Sequence, residues 1–210
     1  GGSESTTYFL SGSYFKQSTY ALGNELDRLN GRLNMTHKFS ERARLGANIG
    51  ISKTFNDRIN SDNSTYAPLT SAFLHVPYTL PFDEDGNYTR PGFIPNILAI
   101  EDLATNHYTT RRTTGNIYFE LDLLPDLTFR SDFGIDEIQT EEAIREPDIV
   151  SATGYGYKRI IQDLKWLTTN TLNYETYFGS DHSFGALLGY SFEASEYYSM
   201  TVEGSGFVSD

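Results

Sequence analysis

The chain has 210 residues, enough for one large all-β domain or for a piece of something larger. Aromatic residues make up 14% of it (fifteen Tyr, fourteen Phe and one Trp), a content that suits strands and argues against a disordered tail. Sixteen Lys and Arg against twenty-eight Asp and Glu leave a net charge of −12, which repels phosphate backbones and disfavours nucleic acid as a partner; with no cysteine, disulfide scaffolds and thiol chemistry are excluded. No run of 18 apolar residues occurs, so no transmembrane helix is expected.

Taken in order, the first expected strand covers residues 6–17. Its two faces, Tyr8, Leu10, Gly12 and Tyr14 against Phe9, Ser11, Ser13 and Phe15, are both partly apolar, so its orientation is open. After a loop at 18–26, residues 27–39 alternate sharply: Leu29, Leu33 and Met35 on one face, Arg28, Asn30, Arg32, Asn34 and Thr36 on the other. A turn at 40–42 leads into 43–56, where Leu45, Ala47, Ile49 and Ile51 oppose Asn48, Ser52 and Thr54. The long stretch 57–108 is rich in Pro and reads as irregular. Strands at 109–123 and 127–140 flank a Pro-Asp turn, a second loop spans 141–162, and strands at 163–178 and 183–195 flank the turn at 179–182. From 196 the chain reads as another polar, Gly-containing segment.

One hairpin pattern occurs three times. With Phe39, Leu123 and Phe178 set in register, the turn-proximal apolar pairs Leu33 and Met35, Ile117 and Phe119, and Leu172 and Tyr174 align. After each turn the order is apolar, x, small, x, apolar, Gly, apolar, as in Leu45 to Ile51, Phe129 to Ile135 and Phe184 to Tyr190. Period two on both sides of a short turn means antiparallel strands with one apolar face. Seven strands in up-and-down order are expected, with all short turns at the end opposite the 57–108 loop. Thirteen residues at ~3.3 Å each and a tilt near 45° span roughly 30 Å, the thickness of a bilayer's hydrocarbon core. Long alternating strands, short turns at one end and long loops at the other mark an outer-membrane β-barrel, with Phe39, Leu123, Phe129, Phe178 and Phe184 near one interface. A soluble secreted β-sandwich, acting for instance as a carbohydrate-binding module, is the alternative, since its strands alternate as well.

The stretches GGSESTTYFLSGSYFKQ, RLNGRLNMTHKFSERARLGANIGIS, NTLNYE, HSFGALLGYSFEAS and GSGFVSD resemble the barrel of SusC/RagA-type TonB-dependent transporters of the bacterial outer membrane. The resemblance implies that residues 1–210 are an internal slice of a barrel of about 22 strands, without its plug domain, with 57–108 as an extracellular-type loop. It also implies a parent protein that imports oligosaccharides or peptides, with a SusD-like surface lipoprotein over its mouth, TonB engaging its plug, and lipid around it.

No catalytic, metal or cofactor site is expected. His37, His75, His107 and His182 lack the spacing of a zinc site. Asp83, Asp85 and Asn87 alternate as in a calcium loop, but Gly86 is misplaced and the required Glu is missing, so a turn is expected. No nucleophile-elbow motif occurs, Gly154 and Gly156 lack the setting of a phosphate loop, and the sequons at Asn34, Asn63 and Asn87 are short chance matches. The candidate substrate-binding residues are Tyr66, Phe73, Tyr78, Phe82, Tyr88 and Phe93 in the long loop, since aromatic faces stack on sugar rings. Arg32, Asn34, Asn48, Asn116, Tyr118, Glu120, Arg130 and Asp132 are expected to line the lumen.

Overall fold

The computed structural model describes all residues other than 21–22, 59–63, 91, 180 and 208–210. Alternation becomes seven strands: β1 (Thr6–Ser18), β2 (Glu25–Lys38), β3 (Ala43–Asp57), β4 (Thr105–Leu124), β5 (Leu127–Glu146), β6 (Tyr155–Phe178) and β7 (His182–Ser205). They form a single antiparallel sheet in the order β1-β2-β3-β4-β5-β6-β7, each strand paired with its neighbours in the chain. The expected up-and-down meander is therefore present, and the β2–β3, β4–β5 and β6–β7 turns all lie at one end.

The threefold sequence pattern now has a physical meaning. Met35 opposes Ala47, Phe119 opposes Ser131 and Tyr174 opposes Ala186, so in every copy the small residue faces a large partner across the pair. The glycine of each copy falls on the other face, opposite Arg32, Asn116 or Thr171. Gly179, at φ 66°, supplies the left-handed residue that the β6–β7 turn requires.

Register separates the faces cleanly. Leu10, Leu33, Ile49, Ile135 and Trp166 lie in one row, beside a row of Tyr8, Met35, Ala47, Ile117 and Phe133. This places Tyr8, Leu10, Gly12 and Tyr14 of β1 on the apolar face and Phe9, Ser11, Ser13 and Phe15 on the polar one, which resolves the orientation of β1. Leu10, Leu29, Ile51 and Leu188 are each more than half exposed, and apart from Pro95 and Pro147 the buried apolar side chains among the described residues are Ala47, Ala67, Ala99 and Val150. No second sheet covers the apolar face among the described residues. A sandwich would bury it.

Four strands outrun their expected lengths. β4 begins at Thr105, β5 continues to Glu146, β6 starts at Tyr155 and β7 runs to Ser205, so most of the loop expected at 141–162, and the polar segment expected after 196, are strand. The ladder is continuous there, from Thr110–Thr140 to Thr105–Arg145 and from Ile160–Met200 to Tyr155–Ser205. These halves carry polar residues on both faces, such as Gln139 and Glu141 beside Thr140 and Glu142, so the period-two signal fades while the hydrogen bonds persist. On the apolar face the change comes at Lys16, Asp27, Lys53, Arg111 and Glu137, where charge replaces the apolar stripe. Twenty-four residues of β6 would rise roughly 55 Å at a 45° tilt, well beyond a ~30 Å hydrocarbon layer.

The two faces respond differently to charge when a barrel containing this sheet refolds into lipid. Ile49→Arg should cost ~2–4 kcal/mol if it lies near the midplane, whereas Asn48→Arg should cost less than ~1 kcal/mol. Denaturant titration of both variants in the same vesicles measures the difference; equal losses would mean that the faces are misassigned.

Candidate functional site

All eight residues expected to line a lumen lie on the polar face. Arg32 and Asn34 come from β2, Asn48 from β3, Asn116, Tyr118 and Glu120 from β4, and Arg130 and Asp132 from β5, and register aligns them side by side. Toward the short-turn end they form a connected network. Glu120 is only 8% exposed; it pairs with Arg44 on β3 and, at 3.3 Å, with Arg130 on β5. Arg130 also holds Asp132 at 2.7 Å, and Asp132 accepts from Asn116 Nδ2 at 3.4 Å. One carboxylate between two guanidinium groups satisfies a charge that burial would otherwise penalise heavily.

Tyr118 is locked inside this network. The Arg130 guanidinium lies over its ring at 4.1 Å from the centroid. On β3, a Cβ built on Gly46 would overlap the same ring. Thr36 Oγ1 lies 3.5 Å from the Tyr118 hydroxyl. Glycine at 46 is thus a steric requirement for the ring to lie flat against the sheet. Gly46→Val should displace Tyr118 and cost roughly 1–3 kcal/mol, the usual range for overpacking. Denaturant unfolding of the refolded barrel reads the loss.

The long loop contributes a packed cap. Helices α1 (Pro68–Leu74) and α2 (Ile97–Leu103) stand in the connection expected to be irregular. Pro at the first turn starts α1, and the Asn96 side chain caps α2 by accepting from Leu98 N at 3.1 Å. Asn96 Nδ2 also donates to Pro81 O (2.6 Å) and Thr89 O (3.3 Å), tying a small hairpin to the helix. Asn96, 3% exposed, is the loop's central polar anchor, and sequence reasoning passed over it. A cap residue directly before the apolar run ILAIEDL was the available signal.

The six loop aromatics are not one cluster. Phe82 and Tyr88 close the small hairpin with ring centroids 5.0 Å apart, and the Tyr88 hydroxyl donates to Asp102. Tyr66 lines a cavity of about 70 Å³ at the loop base, with Asp57, Arg58, Glu101, Glu146 and Val150. Phe73, Tyr78 and Phe93 are 88%, 82% and 90% exposed and present free ring faces. The tip at 83–87 is a turn: Asp83 accepts from the Asp85 N–H at 3.0 Å, from the Asn87 N–H at 2.8 Å and from Asn87 Nδ2 at 3.3 Å. Those bonds, the Asn87 N–H foremost, hold the Asp83 carboxyl below the usual carboxylate range. Its oxygens are committed to the turn. The sequon residue Asn63 lies outside the described residues.

The histidines stand apart. His37 meets Thr6 Oγ1 at 2.7 Å, His75 lies 3.0 Å from Pro95 O, and His107 lies 3.1 Å from Asp57. No group of three or more His, Asp or Glu able to hold a metal occurs among the described residues.

Burial raises the pKa of Glu101 above the ordinary carboxylate value, helped by the charges of Asp57 and Asp102 and opposed by the Gly23 N–H. A carboxyl with a raised folded pKa binds its proton more readily in the folded loop than in the open one. Its penalty is therefore present at neutral pH and disappears as pH falls through the folded value. Glu101→Gln should slow exchange of the amides of 97–104 at pH 7, and the gain over the wild type should vanish toward low pH. Hydrogen exchange at two pH values tests this.

Comparison with known proteins agrees with this geometry. The chain is 27% identical over 207 residues to TonB-dependent receptor P3 of Formosa agariphila, a match covering 92% of this chain and 20% of the relative. Against TonB-dependent receptor P26 of the same organism it is 24% identical over 227 residues, covering 99% of this chain and 22% of the relative. The chain therefore spans about a fifth of the curated relatives it matches. Among solved structures, the RagAB peptide importer in the "closed-closed" state superposes with a TM-score of 0.78 at 22% identity, covering all of this chain and 25% of that one. The RagAB peptide transporter gives 0.76 at 21%, with the same coverage. No protein-family model matches the chain.

Proposed function

From a sheet that resembles, in sequence and fold, part of the barrel of a SusC/RagA-type TonB-dependent transporter of the outer membrane, we propose that residues 1–210 are barrel wall and extracellular loop of an importer. Its cargo is an oligosaccharide or a peptide, and it has no enzymatic activity of its own. The bare apolar face carries this reading, because Leu10, Leu29, Ile51 and Leu188 need a nonaqueous surrounding. In this arrangement the apolar face meets lipid and the polar face lines the lumen. The short turns point to the periplasm, and the cap at 64–104 stands at the outer mouth. Phe73, Tyr78 and Phe93 offer free faces to cargo there, while Tyr66, Phe82 and Tyr88 shape the cap. A surface lipoprotein closes the mouth, and TonB acts through a plug supplied by the parent protein.

Liposome swelling and expression without detergent test the proposal together. The purified 210 residues should give no solute flux and should need detergent or partner strands to stay dispersed, because an open sheet leaves two edges unpaired. Flux through a single copy would overturn the reading. A monomeric, cooperatively unfolding chain without detergent would favour a soluble carbohydrate-binding module instead.

A further inference from the structure

Where the apolar stripe of the outer face gives way to charge, two cations stand directly opposite one another. Lys53 on β3 faces Arg111 on β4 in register, and both side chains are exposed. Directly opposed residues hold their Cβ atoms ~5 Å apart, and like charges so placed repel unless an anion lies between them. The carboxylates diagonal to the pair are engaged elsewhere. Asp27 accepts from the Tyr14 hydroxyl at 2.5 Å, Glu137 accepts from Gln162 Nε2 at 2.8 Å, and Glu141 pairs with Lys158 at 2.7 Å. Lys16, in the same belt, is matched by Glu25 at 2.5 Å. Lys53 and Arg111 make no side-chain hydrogen bond or ion pair among the described residues. β3 and β4 are interior strands, so strands added at the edges of the sheet leave this pair as it is. It also lies on the face turned away from the lumen.

The band beneath the pair sets its height. From Ala43 at the short turn to Lys53, β3 rises roughly 23 Å at ~3.3 Å per residue and a 45° tilt, close to the ~25 Å height of the outward apolar band of outer-membrane barrels. Below the pair on the same face come Ile51 and Thr113, then Ile49 and Gly115, then Ala47 and Ile117. Leu29 stands beside Lys53 in its own row, and like Ile51 it is more than half exposed. Two unmatched cations thus crown an apolar strip that descends toward the short turns.

We infer that Lys53 and Arg111 hold the phosphate group of a membrane lipid in the leaflet farther from the short turns; the inference rests on the reading of the apolar face as the one that meets lipid. Arginine offers phosphate a planar fork of donors and lysine a rotatable point charge, so the two can share one headgroup. The acyl chain hanging from that headgroup would lie on Ile51 and Ile49. A free anion is held poorly here, because Asp27, Glu137 and Glu141 stand close and the chain as a whole carries −12. The apolar strip supplies what the charges alone lack, and this commits the site to a lipid. An acidic protein partner fits less well, since the cations sit at headgroup height with bare Leu29 and Ile51 against them.

The test uses the full-length parent transporter in neutral detergent micelles doped with radiolabelled phosphatidic acid or, separately, with diacylglycerol of the same chains. Through gel filtration the transporter should retain phosphatidic acid and lose diacylglycerol. Lys53→Gln and Arg111→Gln should each lower retention about fivefold, the usual worth of one basic side chain at a membrane surface. The double variant should fall to the diacylglycerol level, whereas Lys53→Arg should match the wild type. Arg112→Gln makes the same charge change on the opposite face and should have no effect, and excess inorganic phosphate should not compete. Heat-modifiable migration on gels confirms that each variant is folded. Equal retention of the two lipids, or of phosphatidic acid by the wild type and the double variant, would overturn the site; so would displacement by inorganic phosphate, which marks a free-anion site. Loss with Arg112→Gln but not with Arg111→Gln would strike the lipid reading of the face itself. If Ile49→Arg destabilises the refolded barrel while the Lys53 and Arg111 variants retain lipid in full, only the phosphate site falls.

Discussion

The structure depends on main-chain hydrogen bonding in a medium that offers none from solvent. Each interior strand of the meander satisfies its N–H and C=O groups on both sides, through ladders that run unbroken for most of its length. β1 and β7 are paired on one side only. About ten residues of edge within a bilayer leave roughly five N–H and five C=O groups pointing into hydrocarbon, at a few kcal/mol for each. Two such edges amount to tens of kcal/mol, more than side-chain contacts on this sheet could offset. The sheet is therefore stable in lipid only with strands added to both edges until it closes.

Once the ladder is fixed, so is everything that projects from it. Strand periodicity sends Ile49 to one face and Asn48 to the other, and a slip of one residue would exchange them. The alternation thus specifies register as well as orientation. The large-against-small pairs Met35–Ala47, Phe119–Ser131 and Tyr174–Ala186 reinforce it on the apolar face. On the polar face the glycines act in the opposite sense. Gly46 lets Tyr118 lie flat under Arg130, and Gly50 opens the floor beside Asn48. Smoothness outside and relief inside come from the same two-residue period.

How far the sequence could be read follows from where that period is strong. In β2, β3 and the turn-proximal halves of β4 and β5, each face has one character, and both the faces and the eight polar-face residues were legible. In the outer halves both faces are polar, so Gln139 and Glu142 carry no signal although their strand continues to Glu146. α1 and α2 are seven residues each, too short for helical periodicity to emerge among prolines, and they rest on local devices at Pro68 and Asn96. The pinching of Glu120 between Arg44 and Arg130 needed three strands to be placed at once. The opposition of Lys53 and Arg111 needed the β3–β4 register across the long loop, because the two are neighbours only through pairing.

The lengths of the strands join these features into one arrangement. On β2 to β5 the apolar stripe of the outer face is broken by Asp27, Lys53, Arg111 and Glu137, while on β6 and β7 Ile160, Met200 and Val202 carry it further from the short turns. The upper part of the sheet carries charge on both faces, Glu141 and Lys158 on one and Glu142 on the other. There the polar pairs Lys158–Glu141 and Arg58–Glu142 can form without the cost of burial in lipid. This raised wall holds the cap at 64–104 above the membrane and gives its exposed rings access to solvent. The charged network around Glu120 lies at the other end of the polar face, near the short turns. Between the cap and that network, the polar face carries the largely uncharged carboxamide row of Asn34, Asn48 and Asn116.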